Sequence, residues 1–145
     1  MTQEEKMLLI KDLSARLPYA VTVEHTSDFR GTLHDIAVHH MYDENDNIYD
    51  AICYTDFFGD EDSIYIEYFK PYLFPLSSMT EEQKKKYNWL KHSVFVCHYE
   101  YGDVAEEIEL YDSPESFEYL IENHFDYYGL IPKGLAIDAT NKKIY

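Results

Sequence analysis

The sequence predicts an α+β fold, a mostly antiparallel sheet of five or six strands with three helices, in one domain over residues 1–145. Three observations carry that reading. Two capping boxes and one Ser-Pro helix start mark three helices. Between them run short strand-like segments whose connections are too short for parallel crossovers. The chain has 5 Gly and 5 Pro, and no repeat or Gly/Ser-rich linker divides it.

Thr2 and Glu5 form the first capping box, and Leu9, Leu13 and Leu17 recur near helical spacing until Pro18 stops the helix. Strand-like runs follow at 20–25, 32–40 and 48–55, separated by turn segments at 28–31 and 43–47. Leu33, Ile36 and Val38 alternate imperfectly, as across a bulge. A further run at 63–68 alternates Ile64 and Ile66 against Tyr65 and Glu67. Residues 70–75 carry Pro71 and Pro75 and read as an irregular crossing, because proline has no ladder donor.

Thr80 with Gln83 opens a second helix that runs to about Leu90 or Lys91. Two strand-like runs, 93–99 and 104–111, flank Gly102-Asp103. Ser113-Pro114 starts the third helix, with Phe117, Leu120, Ile121 and then His124 or Phe125 as its inner stripe. The tail from Tyr127 is too rich in Gly and Pro for a helix and predicts a packed loop with a short closing strand.

Charge is the strongest functional signal. Twelve basic residues against 28 acidic ones leave a net charge of −16. A face that neutralises phosphates needs excess Lys and Arg, so direct nucleic-acid binding is not expected. From Gly31 to Phe69 there are ten acids and no Lys or Arg, and from His92 to Pro132 another ten with none. Size scaling gives a folded surface of roughly 7,800 Å², so these twenty on half of it would stand about one per 200 Å². Duplex DNA carries roughly one phosphate per 100 Å², which is within about twofold. Such a face suits the basic groove of a nucleic-acid-binding protein, with salt-sensitive association. The same charge also serves solubility alone.

Other classes find little support. No stretch approaches the ~20 apolar residues of a membrane span, and Met1-Thr-Gln-Glu-Glu lacks the basic, then apolar, pattern of a signal peptide, so a cytoplasmic protein is expected. Cys53 and Cys97 sit in apolar, strand-like surroundings and read as buried reduced thiols. Cys97-His98 are neighbours that a strand sends to opposite faces, which disfavours a nucleophile pair. No Gly-rich phosphate loop, GxSxG elbow or CxxC motif is present, so no cofactor or catalytic residue is assigned.

The densest group of candidate metal ligands is His39, His40, Asp43, Glu44 and Asp46. Its first residues from Asp43 open like a calcium loop, but Ile48 stands where Gly is required and Tyr54 where Glu is. A metal-dependent enzyme around His39, Asp43 and Asp46 is the rival reading. A structural or assembly protein with no charge-dependent partner is a third.

Three segments resemble an uncharacterised family of small proteins from gut Bacteroidetes, their phages and mobile elements. They are KDLSARLPY at 11–19, KPYLFPLSSMTEE at 70–82 and NHFDYYGLIPKGLA at 123–136. The family pattern has Arg where Phe74 and Tyr128 stand here, so this chain is more acidic and more aromatic. The resemblance implies a phage or mobile-element setting and carries no known activity. By analogy of context and charge, that setting suggests a nucleic-acid-mimic inhibitor of the antirestriction or anti-CRISPR kind.

The leading expectation is a non-enzymatic protein that occupies the basic site of a host nucleic-acid-processing protein. Its candidate contact residues are Asp56, Asp60, Glu61, Asp62, Glu106, Glu107, Glu109 and Asp112. Tyr and Phe beside these acids, such as Tyr127 and Tyr128, add apolar area suited to cationic partners.

Overall fold

Helix α1, Gln3–Arg16, starts where the sequence says it should. Thr2 Oγ1 accepts from the Glu5 amide at 3.2 Å, and the Glu5 carboxylate accepts from the Thr2 amide at 2.7 Å. The computed structural model describes residues 1–25, 29–33, 37–42, 45, 48–55, 61–100 and 103–145, with side chains for 1–24, 30–33, 45, 66–93 and 109–145. Leu9 and Leu13 are fully buried, while the chain turns at Leu17–Tyr19 in one 3₁₀ turn begun by Pro18.

Three groups of strands follow. β1 (Thr22–His25) pairs antiparallel with β2 (Phe29–Thr32) and with β6 (Phe69–Leu73), and β9 (Ile137–Asp138) joins β6 in parallel. β3 (Ala37–Tyr42), β4 (Ile48–Thr55) and β5 (Glu61–Tyr65) form an antiparallel meander. β7 (His92–Glu100) and β8 (Asp103–Tyr111) form a hairpin. With α2 (Glu81–Leu90) and α3 (Pro114–Glu122) this is an α+β fold with three helices and mostly antiparallel pairing.

The strands are distributed over a four-, a three- and a two-stranded sheet rather than one. Several sequence expectations need correcting: Phe29–Thr32, expected as part of a turn at 28–31 and the start of the next run, is itself the strand β2 paired with β1. Residues 70–75 are no irregular crossing, because β6 is an internal strand of the four-stranded sheet. Pro71 is tolerated since it is paired only with Val23, and β9 joins from Tyr72 onward. The run at 63–68 is extended only to Tyr65, after which Ile66–Tyr68 turns and buries Ile66.

Both remaining helix starts match the sequence. Thr80 and Gln83 cap α2 reciprocally, and Ser113 Oγ accepts from the Ser116 amide with Pro114 at the first helical position. The inner face of α3 holds Leu120 and Ile121 as expected, but Ser116 and Tyr119 are buried with them and Phe117 is only half-buried. The tail closes with β9 as expected, and Gly129 and Gly134 supply its left-handed turns with φ of 67° and 72°.

The core falls into two clusters. One joins Leu9 and Leu13 of α1 to Val23, Phe69 and Leu73 of the sheet and to Leu130 of the tail. The other packs Tyr119, Leu120 and Phe125 on Met79. Among the described residues no helix is long and apolar enough to cross a membrane.

Candidate functional site

The third helix gathers the best-defined charged surface among the described residues. Glu115, Glu118 and Glu122 are all exposed, and at 100° per residue they fall within about 60° of the helix circumference. Ser116, Leu120 and Ile121 bury the opposite side, so packing of α3 forces these carboxylates outward as one stripe. None of the three makes an ion pair among the described residues. Like charges at i, i+3 and i, i+4 repel, so the stripe costs α3 some stability. Its negative charge is nevertheless held in place. Hydrogen bonds at the helix N-terminus keep the Glu115 carboxyl below its usual range, and Glu118 accepts from Tyr19 Oη at 2.9 Å.

The strand leading into α3 extends the same acidic run. Exposed Tyr111 donates to the Glu109 carboxylate, which raises the Tyr111 phenol. Asp112 accepts from Tyr87 Oη at 2.6 Å; burial first and this bond second raise the Tyr87 phenol. Asp112 is also 3.7 Å from the Lys91 ammonium, so it is partly neutralised. Well round α3 from the stripe, Phe117, Tyr127 and Tyr128 form an edge-to-face cluster with centroids 4.9 to 6.1 Å apart, and the Lys11 ammonium lies 5.0 Å from the Tyr128 ring.

What fixes this surface is a buried guanidinium. Arg16 and Asp12 are both fully buried and paired twice, Nε to Oδ2 at 2.7 Å and Nη2 to Oδ1 at 2.8 Å. Arg16 also donates to the carbonyls of Ile121 and Phe125 around the end of α3. Burial pushes the Asp12 carboxyl above its usual value, and the guanidinium opposes that shift.

Next to Phe125, His124 takes a left-handed backbone with φ 57°, and its ring stacks on Tyr145 at 4.0 Å. Its Nδ1 is buried with no hydrogen-bond partner among the described residues. Burial, aided by nearby Arg16, lowers the imidazole to about 4, so it is neutral at physiological pH. The Tyr145 hydroxyl donates to the Tyr72 carbonyl at 2.8 Å, and burial pushes it up to about 12. A cleft of about 350 Å³ opens here between α2 and the end of α3, lined by Gln83, Glu122, His124 and Tyr145 among others.

The sequence-predicted contact residues fare unevenly. Glu109 and Asp112 lie on the acidic run just described. Glu106 and Glu107 lie on β8, paired with Cys97 and Val96. Their side chains lie outside those described. Glu61 and Asp62 begin the edge strand β5, opposite Thr55 and Tyr54. Asp56 and Asp60 lie outside the described residues, as do Asp43 and Asp46 of the metal reading. His39 pairs with Ala51 on β3, its side chain outside those described. Cys53 on β4 and Cys97 on β7 fall in different sheets, their side chains likewise outside those described.

Glu115, Glu118 and Glu122 are not among the sequence-predicted contact residues, which are acids clustered in sequence at 56–62 and 106–112. Their i, i+3, i+7 spacing within a capped helix was the signal that finds them. The accessible surface is 9571 Å², about a fifth above the size-scaling value, so charge is spread somewhat more thinly than expected. Comparisons with protein-family models, with curated proteins and with solved structures give no match.

Proposed function

We propose that this protein is a non-enzymatic binding protein whose acidic and aromatic surface occupies the basic, nucleic-acid-binding site of another protein, in a phage or mobile-element setting. The observation that carries this reading is the α3 stripe: Glu115, Glu118 and Glu122 exposed on one line with no ion pair among the described residues. A helix gains nothing from three like charges in register. A cationic groove does. Its arginines would meet the carboxylates of the stripe.

The test is capture from a gut Bacteroidetes lysate by the tagged chain, at low and high salt. A specific basic protein should be retained at low salt, released by high salt and displaced by duplex DNA. Reversing Glu109, Glu115, Glu118 and Glu122 to Lys should reduce capture by at least about tenfold while the circular dichroism spectrum stays unchanged. Capture that survives both the reversal and competing DNA would exclude mimicry.

A further inference from the structure

Helix α1 is apolar on two sides. Leu9 and Leu13 face the core, while Met7 on the other side is 58% exposed, and Leu8 and Ile10 at its flanks are half-buried, each packed in part against the core. A shallow depression of about 580 Å³ lies over this outer face, lined by Gln3, Glu4, Met7, Leu8, Ile10 and Lys11.

Its charges say what fits there. Glu4 lies three residues before Met7 and Lys11 three residues after Leu8, all on one i, i+3, i+4, i+7 stripe. The ends of the stripe are equidistant from its centre and opposite in sign. Lys11 is held with its ammonium 5.0 Å from the Tyr128 ring, and Glu4 makes no ion pair among the described residues. We infer that this face is an isologous interface, on which a second copy of the chain packs α1 antiparallel to α1 about a two-fold axis at Met7 and Leu8. Each Glu4 then faces Lys11 of the other copy, and the pairing is satisfied twice.

The surroundings agree with that choice. A chain of net charge −16 repels its own copies over most of its surface, whereas this patch has one acid and one base. α1 is 14 residues, or ~21 Å, so the contact is smaller than the ~1,200 Å² of a standard interface. The dimer accordingly falls in the weak, transient class. Added salt strengthens it, because repulsion between whole chains outweighs the two rim pairs. That is opposite to the salt response of an acidic surface bound to a basic partner, so the two ideas stand or fall separately.

Sedimentation equilibrium of the full chain over a wide concentration range decides it. The wild type should move from monomer to dimer, more readily at moderate than at low salt. Met7→Asp should raise the dissociation constant by about tenfold or more, since each loss counts twice in a two-fold interface. Lys11→Glu, which adds repulsion both at the rim and between whole chains, should dissociate the dimer, and the double variant Glu4→Lys/Lys11→Glu, with the net charge back at −16, should restore it. Met7, Glu4 and Lys11 are exposed, so melting temperature serves as the check that each variant is folded. A wild type that stays monomeric at millimolar concentration overturns the proposal. So does a dimer indifferent to Met7→Asp, or a double variant that fails to recover.

Discussion

Arg16, on the first helix, donates a 2.8 Å hydrogen bond to the carbonyl of Phe125, 109 residues further along the chain. The same guanidinium holds Asp12 with two bonds and reaches the Ile121 carbonyl at 3.3 Å. One side chain thus satisfies a buried carboxylate and two carbonyls around the end of the acidic helix.

Removing Arg16 should therefore be costly. Arg16→Met leaves Asp12 charged and unpaired in the core, with a loss of about 3–5 kcal/mol in urea unfolding. The double variant Asp12→Leu/Arg16→Met should regain much of that, because the stranded charge is gone. Equal losses in the single and double variants would show that the carbonyl bonds, not the ion pair, dominate.

His124 gives a pH dependence with a definite sign. Its folded value of about 4 lies below the usual 6.5, so the unfolded chain takes up this proton first as pH falls. Its contribution is full above about pH 6.5 and is lost progressively down to about pH 4. The size is about 2 kcal/mol once the ring's partial contact with solvent is allowed for. His124→Asn, which tolerates the left-handed backbone, should flatten stability over that window. Parallel wild-type and variant profiles of unfolding free energy against pH would refute this assignment.

The acidic stripe should trade stability for binding. Glu122→Lys puts an ammonium four residues after Glu118, the favourable i, i+4 order, and places a cation in the last turn of α3. Calorimetry should show a melting temperature raised by about 2 °C. Capture of a basic partner should fall at the same time. Added salt should stabilise the wild type and have less effect on the variant. An unchanged or lowered melting temperature would mean the three glutamates do not repel as their spacing implies.

Ser113 joins two helices by one hydroxyl. It accepts from the Ser116 amide at 3.0 Å and donates to the Leu90 carbonyl at the end of α2 at 2.7 Å. Ser113→Ala should cost about 1–2 kcal/mol in chemical unfolding. Thr80→Ala, at an exposed cap that serves α2 alone, should cost less. Reversal of that order would count against a role for the Leu90 bond.

Whatever depends on a few neighbouring residues could be read from the chain itself. Thr2 with Glu5, Thr80 with Gln83, and Ser113 with Pro114 set the three helix starts, since a cap needs only its own first turn. The same is true of the antiparallel β3–β4 and β7–β8 pairs, whose connections leave little choice of partner. Long-range pairing decided the rest. Pro71 looked like a strand breaker until Val23 and a late-starting β9 gave it a place, and nothing near Arg16 announces the Phe125 carbonyl. The glutamates of α3 became a surface only because Leu120 and Ile121 turned inward to meet the core. Hydrogen bonds within a turn are encoded by spacing, whereas a buried charge is tolerated only where distant segments bring it partners, and that is a property of the folded chain.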